Sequence, residues 1–229
     1  MTTSNQTSLG NQTSLLNTNT VTNQSRRKFL KQTGLATGGL VLGISLPQTT
    51  IAGFKMGQDS TFNPNAFIHI ADNGDTLISC GRCEMGQGIS TALPAAVADE
   101  LEADWTRVSI KQGEGNEEKY GPQATGGSAS IRVMYIPMRE AGAAAKVMLV
   151  AAAAKVWGVT ADKCMAENHY VINKNNQQKL SYGDLASLAA NEPVPENVIL
   201  KEKKDFKYIG KDIARHNQGD IVVGSDTHL

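Results

Sequence analysis

Two β-prone runs around an Asn-Gly pair restrict the fold more than any other segment of this chain. Phe67-Ile68-His69-Ile70 and Thr76-Leu77-Ile78-Ser79-Cys80 flank Asp72-Asn73-Gly74-Asp75. Asparagine and glycine tolerate the left-handed backbone that a tight turn needs, so the segment predicts an antiparallel hairpin. A glycine-rich stretch follows, Gly81 to Gly88. Ile89 to Ala103 then reads as a helix with Leu93, Val97 and Leu101 on one face. Pro94 falls in its first turns, where a missing amide donor costs least. Val108-Ser109-Ile110 predicts a short strand, and 113–127 a polar loop. A long helix follows from Ser128 to Trp157, with a kink at Pro137. Its alanine-rich part, Ala141 to Val156, permits close packing, and its apolar run is too short to span a membrane. Asp162 to Leu180 predicts a second hairpin around Asn173-Lys174-Asn175-Asn176, and Ser181-Tyr182-Gly183-Asp184 opens a helix to Ala190. Pro193 and Pro195 begin an extended tail, in which Ile221-Val222-Val223 has strand character. The order gives an α+β class, a small antiparallel sheet packed against helices.

Ahead of the hairpin lies a segment of different character. Residues 1–24 are polar and repeat Asn-Gln-Thr-Ser-Leu at 5–9 and 11–15. Such a leader buries too little apolar surface to offset chain entropy and is expected to be disordered. Ser25-Arg26-Arg27-Lys28-Phe29-Leu30-Lys31 precedes a weakly apolar run, Thr33 to Leu46. Paired arginines before a short apolar run are the address read by the twin-arginine export route, which carries folded proteins. Residues 25–53 thus read as a signal. Thr50-Ile51-Ala52 offers a cleavage site, and retention as an uncleaved anchor is the alternative. A periplasmic location follows, with the membrane touched only through that anchor.

The chain has 22 basic and 22 acidic residues. Arg26, Arg27, Lys28 and Lys31 are the basic residues of 1–53, which hold no acid. The rest carries 18 basic against 22 acidic residues, a net charge of −4. A mildly acidic body without a basic stripe argues against nucleic acid as a partner.

Two glycine-bearing segments sit where chemistry could. Glu84-Met85-Gly86-Gln87-Gly88 lies between a strand and a helix; its glycines let a ligand approach the backbone, and the helix start offers amides to an anion. Gln87 can donate and accept, which suits the edge of a heterocycle. Thr125-Gly126-Gly127-Ser128-Ala129-Ser130 repeats the arrangement before the long helix, with hydroxyls and amides suited to a phosphate. Neither matches the common nucleotide fingerprints. Both also read as helix caps with tight turns, and spacing leaves the two readings open.

Together these segments carry a resemblance. Gly81-Arg82-Cys83-Glu84-Met85-Gly86-Gln87-Gly88, Thr91-Ala92-Leu93-Pro94, Asp99-Glu100-Leu101-Glu102-Ala103-Asp104-Trp105 and Thr125 to Arg132 occur in order. Arg139 to Ala145, Leu180 to Leu185 and Asp205 to Gly210 follow. From Ala66 to about Ile209 the chain resembles the molybdopterin-binding subunit of the xanthine dehydrogenase and aldehyde oxidase superfamily, in its isoquinoline 1-oxidoreductase β-subunit branch. The resemblance implies a molybdopterin-binding subdomain over 62–210 and a linker over 211–229 towards a further domain. It implies a molybdenum hydroxylase that oxidises an N-heterocycle or aldehyde with oxygen from water. The cofactor would be a molybdopterin, as the cytosine dinucleotide, carrying molybdenum. Partners would be a small iron-sulfur subunit, a cytochrome c as onward acceptor, and the small-molecule substrate. By position Gln87 meets the pterin, with Gly86 and Gly88 allowing approach. Ser128 and Ser130 hold pterin or phosphate oxygens. Gly126 and Gly127, between Thr125 and Ala129, lie near the metal's ligands. The family's base, a glutamate in G-x-G-E, has no counterpart in this sequence, so no catalytic residue is assigned and the chain alone is expected to be inactive.

The branch more often has serine or threonine at position 83. Here Cys83 forms Cys80-Gly81-Arg82-Cys83, which reads as a redox pair, half a metal site, or two incidental thiols. A redox or binding module, or an exported domain that kept the fold and lost the cofactor, are the competing functions. Cys164 stands apart. His69, His169, His216 and His228 lack ligand spacing and read as structural or exposed, and no metal ligand is assigned. Lys201-Glu202-Lys203-Lys204 reads as a solvated face.

Overall fold

The computed structural model describes residues 40–43, 66–120 and 123–223. Readings on Ser25–Lys31, Thr50–Ala52 and His228 lie outside them.

The predicted hairpin forms from β2 (Ala66–Ile70) and β3 (Thr76–Cys80), antiparallel with Ile68 opposite Ile78. Gly74 takes the left-handed conformation at φ 88° and its amide donates to Ala71 O at 2.7 Å, closing the turn. Along β3, Thr76, Ile78 and Cys80 are buried and the residues between are partly exposed, the alternation of a half-covered strand. From β3 the chain runs through α1 (Ile89–Leu101) to β4 (Val108–Gln112), which pairs parallel to β3. The sheet is therefore mixed where a purely antiparallel one was expected. A helix joins β3 to β4, and such a crossover returns the chain in the same direction. The outer edge of β2 is covered by β1 (Leu40–Gly43), antiparallel to β2 with Leu40 opposite Ile70. Leu40 is buried in the core.

A short helix, α2 (Glu117–Tyr120), interrupts the segment expected to be all loop, and Tyr120 packs edge-on against Phe67 at 5.8 Å. α3 (Ala129–Trp157) runs along α1. Gly142 marks their closest approach: a Cβ there would stand 2.5 Å from Val97 O. The alanines around it let the two backbones draw together.

A second, three-stranded sheet comprises β5 (Cys164–Glu167), β6 (Tyr170–Asn173) and β7 (Lys179–Ser181), all antiparallel. The expected turn at 173–176 joins β6 to β7. A further tight turn joins β5 to β6 at Asn168 and His169, both left-handed at φ 45° and 64°. α4 (Tyr182–Ala189) starts with a reciprocal cap between Ser181 and Asp184. Its first residue, Tyr182, is fully buried and donates its hydroxyl to Leu101 O at 2.6 Å, tying this sheet to α1. The α+β class stands.

The tail folds back on the end of α1. Asp99 is fully buried and accepts from the amides of Lys207, Tyr208 and Ile209. Lys201 Nζ bridges Asp99 at 2.9 Å and Glu102 at 2.7 Å, and Arg139 pairs with buried Glu100 at 2.6 Å. Lys201 thus departs from the solvated face expected of 201–204; only its three neighbours are exposed. Burying two carboxylates side by side requires cations and amides around them, and the tail supplies most of these. Ile221-Val222-Val223 is helical rather than extended, within α5 (Gln218–Val223). An isolated strand has no ladder partner, whereas a helical turn satisfies its own backbone.

Candidate functional site

The two glycine-bearing segments meet. The loop after β3 and the loop before α3 are tied by Thr125 Oγ1 donating to Cys83 O at 3.0 Å and by Arg82 donating to Ala124 O at 2.9 Å. Arg82 is 3% exposed, so this bond holds a buried charge in place. Gln112 on β4 donates to Arg82 O at 2.9 Å, and Gln123 donates to Gly81 O at 3.0 Å. Between the loops lies an open cleft of about 370 Å³, walled by Met85, Gln87 and Ile89 on one side and by Thr125, Gly126, Ser128, Ala129 and Ser130 on the other.

The two helix starts facing this cleft differ. At α1 the amides expected to await an anion are taken. Glu84 Oε1 accepts from Gly86 N at 2.8 Å and Gly88 N at 2.9 Å, and Oε2 accepts from Ser90 N at 2.9 Å and Ser90 Oγ at 2.7 Å. Partial burial alone would raise the pKa of Glu84, but these donors outweigh it and hold the carboxyl at about 2. The protein's own carboxylate is the anion at α1. Gln87 is also engaged: its Oε1 accepts from Met85 N at 2.6 Å and its Nε2 donates to Cys83 O at 3.0 Å. One amide proton and one lone pair remain for an outside group.

At α3 the start is open. Ser128, at the N-cap, is left-handed at φ 54° and its exposed side chain makes no capping bond. The first-turn amides of a helix have no intrahelical acceptor; Ala129 N donates to Gly126 O at 3.0 Å, and no side chain caps the amides that follow it. Ser130 Oγ is buried and lacks a hydrogen-bond partner among the described residues. A buried hydroxyl without a partner costs about 1–3 kcal/mol, a penalty that a ligand oxygen in the cleft would relieve. A Cβ added at Gly86, Gly88, Gly126 or Gly127 would meet nothing within 4 Å, so the space over all four glycines is open to a ligand.

The predicted residues Gly86, Gln87, Gly88, Thr125, Gly126, Gly127 and Ser128 therefore lie on the two loops beside the cleft, and Ala129 and Ser130 on the first turn of α3. Sequence reasoning missed Glu84, Arg82 and the tail residue Arg215, whose guanidinium reaches Glu84 at 3.0 Å. An acid just before a helix start is the usual signal of such a cap, and Glu84 carries it. Nothing local marks Arg82 or Arg215. The Cys80 and Cys83 thiols are free. Cys80 is buried and its pKa is pushed up to about 11 by desolvation. Buried His169 is structural, as read.

The family described as the molybdopterin cofactor-binding domain matches residues 18–222. A membrane-bound aldehyde dehydrogenase [pyrroloquinoline-quinone] of Gluconacetobacter polyoxogenes is 33% identical over 222 residues, covering 90% of this chain and 28% of that protein. The isoquinoline 1-oxidoreductase subunit beta of Brevundimonas diminuta is 31% identical over 249 residues, covering 90% of this chain and 32% of that protein. Among solved structures, quinoline 2-oxidoreductase from Pseudomonas putida 86 matches with a TM-score of 0.43 at 18% identity, over 73% of this chain and 22% of that one. The chain thus spans about a third or less of the relatives it matches.

Proposed function

The chain belongs to the molybdopterin cofactor-binding domain family, and from that premise we propose that the cleft between the two loops is one wall of a molybdopterin site in a molybdenum-dependent oxidoreductase. One observation carries the assignment: the uncapped start of α3 with the unpartnered Ser130 Oγ beside it. Those donors and the open glycines suit an anionic, oxygen-rich group. Ser128, Ser130 and the first-turn amides of α3 after Ala129 would hold its oxygens, Gln87 its ring edge through the remaining donor and acceptor, and Gly126 and Gly127 would let it lie against the backbone. The bound cofactor supplies molybdenum for hydroxylation of an electron-poor carbon with oxygen from water. This chain's own residues bind and orient; none of them is assigned a proton-transfer step.

The pterin would be the cytosine dinucleotide form, with Ser128 and Ser130 holding pterin or phosphate oxygens. Electrons pass to a small iron-sulfur subunit and on to a cytochrome c, and the substrate is an N-heterocycle or aldehyde. The protein reaches the periplasm folded, by the twin-arginine route, supported by Ser25 to Lys31. The retained form fits the structure better than the cleaved one, because cleavage after Ala52 would remove β1. A redox role for Cys80 and Cys83 finds no support: Cys80 ends a strand, is buried and resists ionisation.

Ser128→Asp tests the site. Aspartate caps helices and tolerates the left-handed conformation, so a plain cap would accept it. An anion site would reject it by like-charge repulsion. In the intact oxidoreductase, molybdenum content should fall to background while the melting profile is kept. Normal molybdenum content refutes the assignment.

A further inference from the structure

The cleft's first loop is fastened by a residue far along the chain. Arg215 lies 131 positions after Glu84, beyond the last sheet and α4, and uses all three guanidinium nitrogens. Its Nη2 meets Glu84 Oε1 at 3.0 Å, its Nη1 donates to Gly86 O at 3.1 Å, and its Nε donates to Asn217 Oδ1 at 3.1 Å. The next residue follows the same path: His216 N donates to Thr91 Oγ1 on the first turn of α1 at 3.3 Å. Asn217 is buried at 7% exposure, which anchors the strap at its far end. The segment 215–217, read from sequence as part of a linker, is seated on the loop that borders the cleft.

Two consequences follow from the charges. Glu84 is held ionised by four donors from its own loop and helix, and it directly precedes Met85, which with Gln87 walls a cleft suited to an anion. Its side chain is 10% exposed, so solvent screens it poorly. Among the described residues, Arg215 is the cation that pairs with it. Arg215 also fixes the carbonyl of Gly86, whose φ of 103° is accessible to glycine and strained for other residues. One side chain thus cancels the repulsive charge and holds the backbone next to Gln87.

We propose that Arg215 is a positioning residue for the cofactor site: by pairing with Glu84 and holding Gly86 O, it keeps the 84–88 loop receptive to an anionic cofactor. The inference rests on the molybdopterin reading of the cleft and adds to it the residue that neutralises and fastens the first loop. It also makes seating of the tail a condition for cofactor retention.

The test uses the intact oxidoreductase with Arg215→Ala and Arg215→Lys. Loss of one charge-assisted pair at this site should release molybdenum about tenfold faster from Arg215→Ala on dilution into cofactor-free buffer. Truncating Arg215, which packs over Glu84, opens the carboxylate to solvent and ions, so raising the salt should narrow that gap. Arg215→Lys restores the charge without the fork and should fall between Ala and wild type. Hydrogen exchange gives a readout independent of the metal: amides of 84–90 should exchange faster in Arg215→Ala, with β2, β3 and the body of α3 unchanged. A wild-type release rate overturns the proposal. So does faster release with exchange raised equally across the sheet, which is general destabilisation, or a release rate indifferent to salt. If Ser128→Asp keeps its molybdenum, the cofactor reading fails instead, and the exchange of 84–90 still decides whether Arg215 fastens the loop.

Discussion

His169 gives this fold an acid-sensitive joint, and its size can be worked from geometry. The residue is fully buried between the two sheets. Asp104 N donates to His169 Nδ1 at 2.6 Å, which makes Nδ1 an acceptor and places the ring proton on Nε2, facing Thr76 Oγ1 at 2.9 Å. A second proton has no place to go without breaking the Asp104 bond. Burial, then the Arg107 guanidinium, lowers the pKa from 6.5 to about 4, against the smaller pull of Asp104 and Asp75. The sign follows directly. Between pH 6.5 and 4 the unfolded chain binds a proton that the folded chain refuses, so stability is fully present above pH 6.5 and drains away as pH falls through this window. At roughly 1.36 kcal/mol per pH unit the loss reaches about 3 kcal/mol by pH 4. Glu84 and Asp99, whose pKa values are lowered, lose their contribution only as carboxylates protonate, below about pH 4.5. Denaturant unfolding of the chain at half-unit pH steps from 7.5 to 4.5 measures the slope. His169→Asn is the control: asparagine tolerates the left-handed backbone and can still accept from Asp104. It should cost about 2 kcal/mol at pH 7 and flatten the profile above pH 4.5. A wild-type profile as flat as the mutant's refutes the argument.

Three further outcomes follow. Gly142→Ala should destabilise the chain by about 1–3 kcal/mol, because the new methyl group meets the α1 backbone at Val97 O; an unchanged unfolding midpoint would count against the close helix contact. Residues 54–229 alone should be less stable than the whole chain by at least about 2 kcal/mol, since they lose Leu40 from the core and expose the β2 edge. They should also melt broadly and retain no molybdenum; a sharp melt with stoichiometric metal would contradict this. Changing Arg26 and Arg27 together to lysine should trap the protein in the cytoplasm, and fractionation showing normal export would remove the twin-arginine reading.

What could be read in advance was local. The Asn73-Gly74 hairpin, the helix behind Gly88 and the start of α4 at Ser181 are each specified by residues a few positions apart. The structure reproduces them for that reason. The misses have distant causes. Parallel pairing of β4 depends on where the α1 crossover lands, and the left-handed turn at Asn168-His169 is closed by contacts with α1 and Thr76. Lys201 looked solvated beside three charged neighbours; Asp99 and Glu102, a hundred residues earlier, bury it. The same limit governed the site. Both loops were legible as helix starts before glycines, yet which helix start remained open was not. That depended on the reach of Glu84 and on Arg215, which no window around the loop contains.

Leu40–Gly43 brings two of these readings into conflict. As part of an export signal, the apolar run needs only its hydrophobicity and the arginines ahead of it. As β1, it needs a register: Leu40 against Ile70, Val41 against His69, Leu42 against Ile68. Both demands are met by the same short, glycine-bearing apolar run, so composition cannot separate them. They differ in consequence. A signal that is cut after Ala52 leaves β2 as a bare edge, a surface that proteins commonly cover or charge against unwanted pairing. A signal that stays attached supplies the missing strand. The twin-arginine route carries chains that are already folded, so β1 could pair with β2 before transport. Export and retention of the strand are then compatible, provided that the segment between Gly43 and Ala66 is not cut.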